Sequence, residues 1–200
     1  METHTDIAPP PLAALRWEAA AAPAPRHAAL AGFIRDAYER HFGAQLASLM
    51  PELCALVDLD GVPRAVAGFR PASSGPLFLE QYLGGPVEDA IARAAGEPVE
   101  RRQVWEVGNL ATRCPGAARD FVGRAAAALA DRGASWAVFT GTRRVVAVFR
   151  RIGVPLVTLA DADPARLTDR DTDWGSYYDH APRVVAGRVS SGLPGGRGRA

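Results

Sequence analysis

The chain has 200 residues, of which 48% are hydrophobic and 22% are charged, so its composition is that of one globular domain. All 23 basic residues are arginine, and a chain without lysine can use neither Schiff-base chemistry nor a phosphate-loop lysine. The net charge of +1 gives no reason to expect a nucleic-acid partner, and two cysteines are too few for a disulfide framework. The histidines lack metal-ligand spacing, so we expect no metal site.

The first half of the chain predicts an arm, a helix and a hairpin. Residues 1–25, rich in proline and alanine, predict a flexible N-terminal arm before a single domain over 26–189. Apolar residues at helical spacing predict a helix over 27–42, and Asp60-Gly61 between two apolar runs indicates a β-hairpin. Segment 77–83 suggests a further strand, and 86–95 a short helix that begins at proline and ends before glycine.

The second half alternates between strands and helices. Strands are predicted over 102–112, 136–140 and 155–160, with helices over 117–132 and 143–152 between them, and 184–189 as a last edge strand. This order predicts an α/β fold with a mixed, partly parallel central sheet flanked by helices, in which 102–112 is the central strand. The tail over 190–200 is rich in glycine, arginine and serine and should be disordered.

No segment of the chain has the length and composition of a membrane span or a secretory signal. No run of 18 apolar residues is free of charge, and the N-terminus lacks a basic region followed by an apolar run. We therefore expect a cytoplasmic protein.

Glu106 is an acidic residue in the middle of the apolar central strand. Strand alternation places Glu106, Gly108 and Leu110 on one face and Asn109 and Ala111 on the other, near the point where this strand should diverge from its neighbour. A carboxylate is costly to bury there unless it is paired or used chemically. Two interpretations are open: a structural ion pair with one of the arginines, or a catalytic base.

The turn after this strand has the composition of an anion site. Arg113 and Gly116 precede a predicted helix, whose first backbone N–H groups have no partner within the helix and attract anions. The alternative interpretation is an ordinary Pro-Gly turn.

Over 102–160 the chain resembles the GNAT acyltransferase superfamily. A strand that ends in Leu110-Ala111 leads into the turn Arg113-x-x-Gly116-x-Ala118, followed by a helix, a strand and a second helix. The resemblance implies that the amides of residues 116–119 bind the pyrophosphate of acyl-CoA, with Arg113 as an auxiliary charge. The residues it implies for cofactor binding are Arg113, Gly116, Ala117, Ala118 and Arg119.

A closer resemblance, over 26–187, is to the thermostable hemolysin family. Its motifs include Pro76-Leu-Phe-Leu-Glu-Gln-Tyr-Leu, Glu106-Val-Gly-Asn-Leu-Ala, Trp136-Ala-Val-Phe-Thr and Trp174-Gly-Ser-Tyr-Tyr. This family is similar in fold to acyl-homoserine lactone synthases and N-acyl amino acid synthases. Glu106 matches the glutamate of the lactone synthases, whereas Gly108 and Asn109 replace their serine and arginine, so the resemblance does not imply the lactone synthase substrate.

The resemblance implies an acyltransferase that moves an acyl group from a thioester carrier, acyl-CoA or acyl carrier protein, to an amine of a small acceptor. Glu106 would be the general base, either directly or through a water. Phe149 stands where many members of the superfamily carry an acid tyrosine, so Tyr177, Tyr178 or water would take that role. The implied substrate-binding residues are Arg26, Glu80, Tyr82, Asn109, Thr140 and Trp174. The alternative is a non-enzymatic membrane-active or ligand-binding protein of the same fold, in which Glu106 is only a structural ion.

Overall fold

A computed structural model describes residues 15–168 and 172–193 of the chain. Its strands are β1 (Arg16–Ala21), β2 (Glu52–Val57), β3 (Pro63–Pro71), β4 (Val104–Thr112), β5 (Trp136–Gly141), β6 (Val157–Asp161) and β7 (Arg183–Arg188). Its helices are α1 (Pro25–Phe42), α2 (Glu80–Leu83), α3 (Val87–Ala95), α4 (Ala118–Ala130), α5 (Arg143–Arg151) and α6 (Val189–Gly192).

The strands form one seven-stranded sheet in the order β1-β2-β3-β4-β5-β7-β6. Neighbours from β1 to β4 are antiparallel, β4 and β5 are parallel, and β7 is antiparallel to both β5 and β6. The predicted mixed α/β sheet is confirmed, with β4 in its centre. The parallel pair is the one that α4 connects, as a crossover between parallel strands requires.

Apolar side chains cover both faces of the sheet. On one face, Leu30 and Ile34 of α1 pack with Leu53 of β2, and α3 packs beside them through Ile91. On the other face, Phe121 and Leu129 of α4 join Leu56 and Phe69 of the sheet, while α5 inserts Val146 next to Phe139 and Val185. The sheet is thus a central layer between two layers of helices.

A β-bulge interrupts β4 at Asn109. Val66 of β3 pairs with Ala111 and Gly68 pairs with Gly108, so two residues of β4 stand opposite one residue of β3. Asn109 takes the left-handed conformation, with φ of 53°. Such a bulge reverses the alternation of side chains beyond it. Leu110 therefore packs with Trp105 and the α4 side, whereas Ala111 joins the α1 side.

The parallel pairing between β4 and β5 is short. Only Val104–Glu106 pairs with Trp136–Val138, and the two strands separate beyond Glu106. The sequence predicts this divergence near Asn109, and the structure places its start three residues earlier in the same strand. Glu106 thus stands at the last paired position before the strands diverge.

Three local predictions are wrong. Part of the predicted N-terminal arm is packed, since β1 is an edge strand paired with β2 and α1 begins at Pro25; residues 1–14 lie outside the described part. Segment 77–83 is a turn followed by α2, because Glu80 accepts hydrogen bonds from the N–H groups of Leu77 and Val87 and folds the chain back on itself. The last strand is not an edge strand, because β7 inserts between β5 and β6.

The predicted tail is described only at its start. Residues 189–192 form α6, and residues 194–200 lie outside the described part of the chain. The predicted boundary at 189/190 therefore falls inside a helical turn.

Candidate functional site

A cavity of about 180 Å³ lies where β4 leaves β5. Its walls come from the bulged part of β4, the segment between α1 and β2, the turn before α2, and the segment before β7. The polar residues in its lining are Tyr38, Ser48, Arg70, Tyr82, Glu106, Asn109, Thr140, Thr172, Trp174 and Tyr177. The fold thus brings together chemistry-bearing side chains from distant parts of the chain.

Glu106 is 3% exposed and has a specific set of hydrogen-bond partners. Its Oε2 accepts from Nη2 of Arg70 at 2.8 Å and from the N–H of Phe78 at 3.3 Å, and its Oε1 accepts from the N–H of Leu79 at 3.1 Å. A carboxylate has about four acceptor positions, so about one remains for a ligand. Burial raises the pKa of Glu106 above its ordinary value, although Arg70 acts in the opposite direction.

Three polar atoms in the same cavity lining are buried without a hydrogen-bond partner. They are Nε of Arg70, Oγ1 of Thr140 and Nε1 of Trp174, and within the described residues no other buried side-chain nitrogen or oxygen is unpartnered. Unpaired buried polar atoms cost about 1–3 kcal/mol each, so they are rare unless something binds them. Two of the three are donors only, so the cavity favours a ligand with hydrogen-bond acceptors.

Tyrosines and Trp174 form one wall of the cavity. The Tyr177 hydroxyl donates to the carbonyl of Thr140 at 3.3 Å, and the Tyr178 hydroxyl lies 2.6 Å from that of Tyr82. Burial raises the pKa of Tyr177, Tyr178 and Tyr82, so all three hydroxyls stay protonated at neutral pH. The ring of Trp174 contacts those of Tyr177 and Tyr178, with centroid distances of 5.4 and 5.9 Å.

This aromatic segment is anchored to the end of α1. The N–H of Ser176 donates to the carbonyl of Phe42 at 2.8 Å, and the N–H of Gln45 donates to that of Asp173 at 2.6 Å. Gly175, with φ of 49°, passes so close to Phe42 that a Cβ would lie 2.0 Å from its carbonyl oxygen. Trp174 is therefore held by backbone contacts on both sides, and Tyr177 directly follows the second of them.

Asn109 faces the cavity and not the opposite side of β4. Its bulge conformation turns the side chain toward the segment before β2, where Oδ1 accepts from the N–H of Met50 at 3.0 Å. The prediction that Asn109 faces away from Glu106 is wrong, because it assumes unbroken strand alternation. Met50 lies across Gly68 and Gly108, which face each other on β3 and β4. A Cβ atom added at Gly68 or Gly108 would come within 2.5 or 2.6 Å of Met50, respectively.

The turn between β4 and α4 lies at the end where β4 and β5 diverge, because it directly follows β4. Gly116 and Arg119 are exposed, Ala117 is buried with its N–H bonded to the carbonyl of Cys114 at 3.0 Å, and α4 starts at Ala118 without a side-chain cap. Arg113 instead turns toward α1, with its guanidinium 4.6 Å from the centre of the Phe33 ring and 3.5 Å from Asp36.

Two predicted substrate-binding residues lie outside the cavity lining. Arg26 pairs with Glu18 and donates to the carbonyl of Gly61 at 2.8 Å, so it ties α1 to β1 and the hairpin. Glu80 pairs with Arg101 at 2.6 Å and holds the turn before α3. Of the other predicted residues, Tyr82, Asn109, Thr140, Trp174, Tyr177 and Glu106 line the cavity, while Tyr178 lies behind the lining, in contact with Tyr82, Trp174 and Tyr177.

Sequence reasoning missed Arg70, Tyr38 and Met50. Arg70 is the register partner of Glu106 across the β3–β4 ladder, so strand pairing would have found it if the register had been known. Tyr38 belongs to the apolar stripe of α1, and neither it nor Met50 has a local pattern that distinguishes a cavity residue from a core residue.

The sequence matches the profile of the thermostable hemolysin family over residues 20–193. The chain belongs to this family. A search among curated proteins gives no match. In the part of the chain that the structure describes, no helix is long and apolar enough to cross a membrane, and no group of three acidic, histidine or cysteine side chains is placed to hold a metal.

Solved structures share the fold of this thermostable hemolysin family member at low identity. The AHL synthase LasI is 10% identical with a TM-score of 0.58, and the match covers 93% of this chain and 98% of that one. FeeM, an N-acyl amino acid synthase from uncultured soil microbes, is 14% identical with a TM-score of 0.58, over 90% and 95% of the two chains. BjaI, a CoA-dependent acyl-homoserine lactone synthase solved with SAM and isopentyl-CoA, is 16% identical with a TM-score of 0.53, over 88% and 83%. The fold is therefore GNAT-like.

Proposed function

We propose that this protein is an acyltransferase that moves an acyl group from a thioester carrier to the amine of a small acceptor. The observation that carries the proposal is the position of Glu106: a buried carboxylate at the point where β4 and β5 diverge, in a cavity lined by unpaired polar atoms. The synthases that share the fold support the same class of reaction.

In this proposal Glu106 accepts a proton from the acceptor's ammonium group. The free amine then attacks the thioester carbonyl, a C–N bond forms, the C–S bond breaks, and the second amine proton leaves with the thiolate to give an amide and a free thiol. A base works best when its pKa lies near the working pH, and burial moves the pKa of Glu106 in that direction. Arg70 and the amides of Phe78 and Leu79 orient the carboxylate.

The tyrosines fit a positioning role better than that of an acid. A raised pKa makes a hydroxyl a weak proton donor, and the Tyr177 hydroxyl already donates to a backbone carbonyl. We propose that Tyr177 and Trp174 shape the acceptor site, and that Arg70, Thr140 and Trp174 bind hydrogen-bond acceptors on the acceptor molecule. A cavity of about 180 Å³ suits a molecule of about the size of an amino acid.

The thioester would enter between β4 and β5. Beyond Glu106 these strands no longer pair with each other, which leaves backbone groups available to hydrogen-bond a pantetheine arm. The turn at residues 116–119 and the uncapped start of α4 would take its phosphate. Arg113 would add charge only if it left Asp36 and Phe33.

Thiol release can test this proposal directly. Purified protein is incubated with acyl-CoA or acyl carrier protein thioesters of several chain lengths and a pool of small amines, and products are identified by mass spectrometry. We expect thiol release that depends on an amine, together with a matching amide, both lost in Glu106→Gln. Equal thiol release by the wild type and Glu106→Gln with every thioester, or release without an amide, would refute the proposal.

A further inference from the structure

The exposed face of α5 consists almost entirely of arginine. Arg143, Arg144, Arg150 and Arg151 are all exposed, and Ala147 lies between the two pairs. Because residues seven apart fall on the same side of a helix, the arginines form two parallel rows about 10 Å long. The inner side is apolar, since Val146 packs against Phe139 and Val185.

This face has no compensating charge. The helix contains no acidic residue, and in the described part of the chain none of its four arginines forms an ion pair, whereas ten other arginines do. The whole chain has a net charge of +1 and α5 contributes +4, which leaves −3 for the rest. Helix α5 thus carries four unpaired positive charges, while the rest of the chain has a net negative charge.

The position of α5 relates this charge to the cavity. Thr140 of β5 lines the cavity, and α5 begins three residues later, after Thr142 caps its first turn by accepting from the N–H of Val145. Helix α5 lies with α4 on the face of the sheet opposite α1, and Glu106 lies on the α1 and α3 face. A thioester arm that passes between the diverging strands would therefore come from the side on which α5 lies.

We propose that the arginine face of α5 docks an acidic carrier protein that brings the acyl group as a pantetheine thioester. This inference rests on the proposed acyl transfer and names the carrier. The phosphates of a coenzyme A molecule could pair with one or two arginines close to the entrance. The two arginine rows extend over two helical turns, a length that matches an acidic helix of a protein. Such charges accelerate and orient docking, and their effect decreases with salt.

The test compares two double variants of equal charge change. Arg143→Glu/Arg144→Glu reverses the pair at the start of α5, where acidic residues also suit the helix dipole, so the fold should persist. The matched control, Arg16→Glu/Arg93→Glu, changes exposed arginines on β1 and α3, away from α5. Each protein is assayed with one acyl group on acyl carrier protein, on coenzyme A and on pantetheine, and binding of acyl carrier protein is measured separately by calorimetry.

We expect the α5 variant to lose at least about 10-fold in kcat/KM and in affinity for acyl carrier protein, with acyl-pantetheine unchanged and the control near wild type. The wild-type affinity should decrease as salt increases. Binding of the whole protein to anionic lipid vesicles is measured by cosedimentation as a further comparison. Equal behaviour of the two variants, a loss that extends to acyl-pantetheine, or vesicle binding that the α5 variant loses, without any binding of acyl carrier protein by the wild type, would overturn the docking proposal. Failure of the wild type with every thioester would instead refute the proposed transfer.

Discussion

Two buried carboxylates in this protein have similar hydrogen-bond partners, but their pKa values are shifted in opposite directions. Asp58, at the end of β2, accepts two hydrogen bonds from Arg64 at 2.9 and 2.5 Å and two from the N–H groups of Asp60 and Val62. Glu106 accepts one hydrogen bond from Arg70 and two from backbone N–H groups. The pKa of Asp58 is lowered, first by the N–H of Val62, whereas burial raises that of Glu106.

The number of filled acceptor positions explains the difference. Asp58 has all four of its positions occupied and closes the hairpin turn, so its charge is fully compensated. Glu106 lies deeper in the sheet and has about one position left, which faces a cavity. An arginine partner therefore does not decide between a structural and a catalytic carboxylate; the unfilled position and the adjoining space do.

The largest expected effect separates these two roles. Glu106→Gln should lower the acyl-transfer rate by about 100-fold to 10,000-fold, or about 2.7 to 5.5 kcal/mol of barrier, because the amide cannot accept a proton. Its stability should fall by less than the roughly 3 kcal/mol expected for a fully buried broken pair, because the Arg70 side chain is 28% exposed. Rate and melting temperature are measured on the same samples.

Asp58→Asn is the matched control for this change. It should lower the melting temperature and leave the rate per folded molecule unchanged, since Asp58 does not line the cavity. If Glu106→Gln shows the pattern expected for Asp58→Asn, Glu106 is a structural ion.

The glycines near the two carboxylates give the next largest contrast. In Gly68→Ala the new Cβ would lie 2.5 Å from Cβ of Met50, so Met50 must move, at a cost of about 1–3 kcal/mol, and the acceptor site is disturbed. Gly61→Ala, in the turn that Asp58 closes, has free space but a φ of 78°, and costs about 1–2 kcal/mol of backbone strain. Urea unfolding should show both losses, and only Gly68→Ala should also raise the KM for the acceptor. A raised KM in both variants would mean that the close approach of Gly68 to Met50 has no specific role in the acceptor site.

The sequence predicts the central strand and a buried carboxylate within it, Glu106, because both depend on local patterns. The catalytic role of Glu106 stays a prediction. The sequence places Asn109 in the site but on the wrong side of the strand, since a bulge depends on the pairing between β3 and β4 and not on residues nearby. Arg70 could not be found for the same reason. The resemblance implies Arg26 and Glu80 as substrate-binding residues. Their ion pairs with Glu18 and Arg101 hold them outside the cavity lining, and no local sequence pattern indicates these partners.

A smaller effect should separate the two contributions of Asn109. Asn109→Gly keeps the left-handed backbone but loses the hydrogen bond from Met50, at a cost of about 1 kcal/mol. Asn109→Ala loses the bond and also strains the backbone, which adds about 1–2 kcal/mol. Chemical denaturation of both variants gives the difference directly. Equal stabilities would mean that the backbone conformation of Asn109 changes once the side chain is removed.

The smallest effect is a pair of opposite pH dependences. The folded pKa of Glu106 lies above its ordinary value of 4.5, so its contribution to stability is fully present below about pH 4.5 and is lost as pH rises through the folded pKa. The stability of the wild type relative to Glu106→Gln should therefore decrease with rising pH, by at most about 1.4 kcal/mol per pH unit.

The folded pKa of Asp58 lies below its ordinary value of 3.8, so its contribution to stability is present above about pH 3.8 and is lost as pH falls through the folded pKa. The stability of the wild type relative to Asp58→Asn should accordingly rise with pH. Urea unfolding of the three proteins between about pH 3 and about pH 8 measures both slopes, and slopes of the same sign would contradict the contrast between the carboxylates.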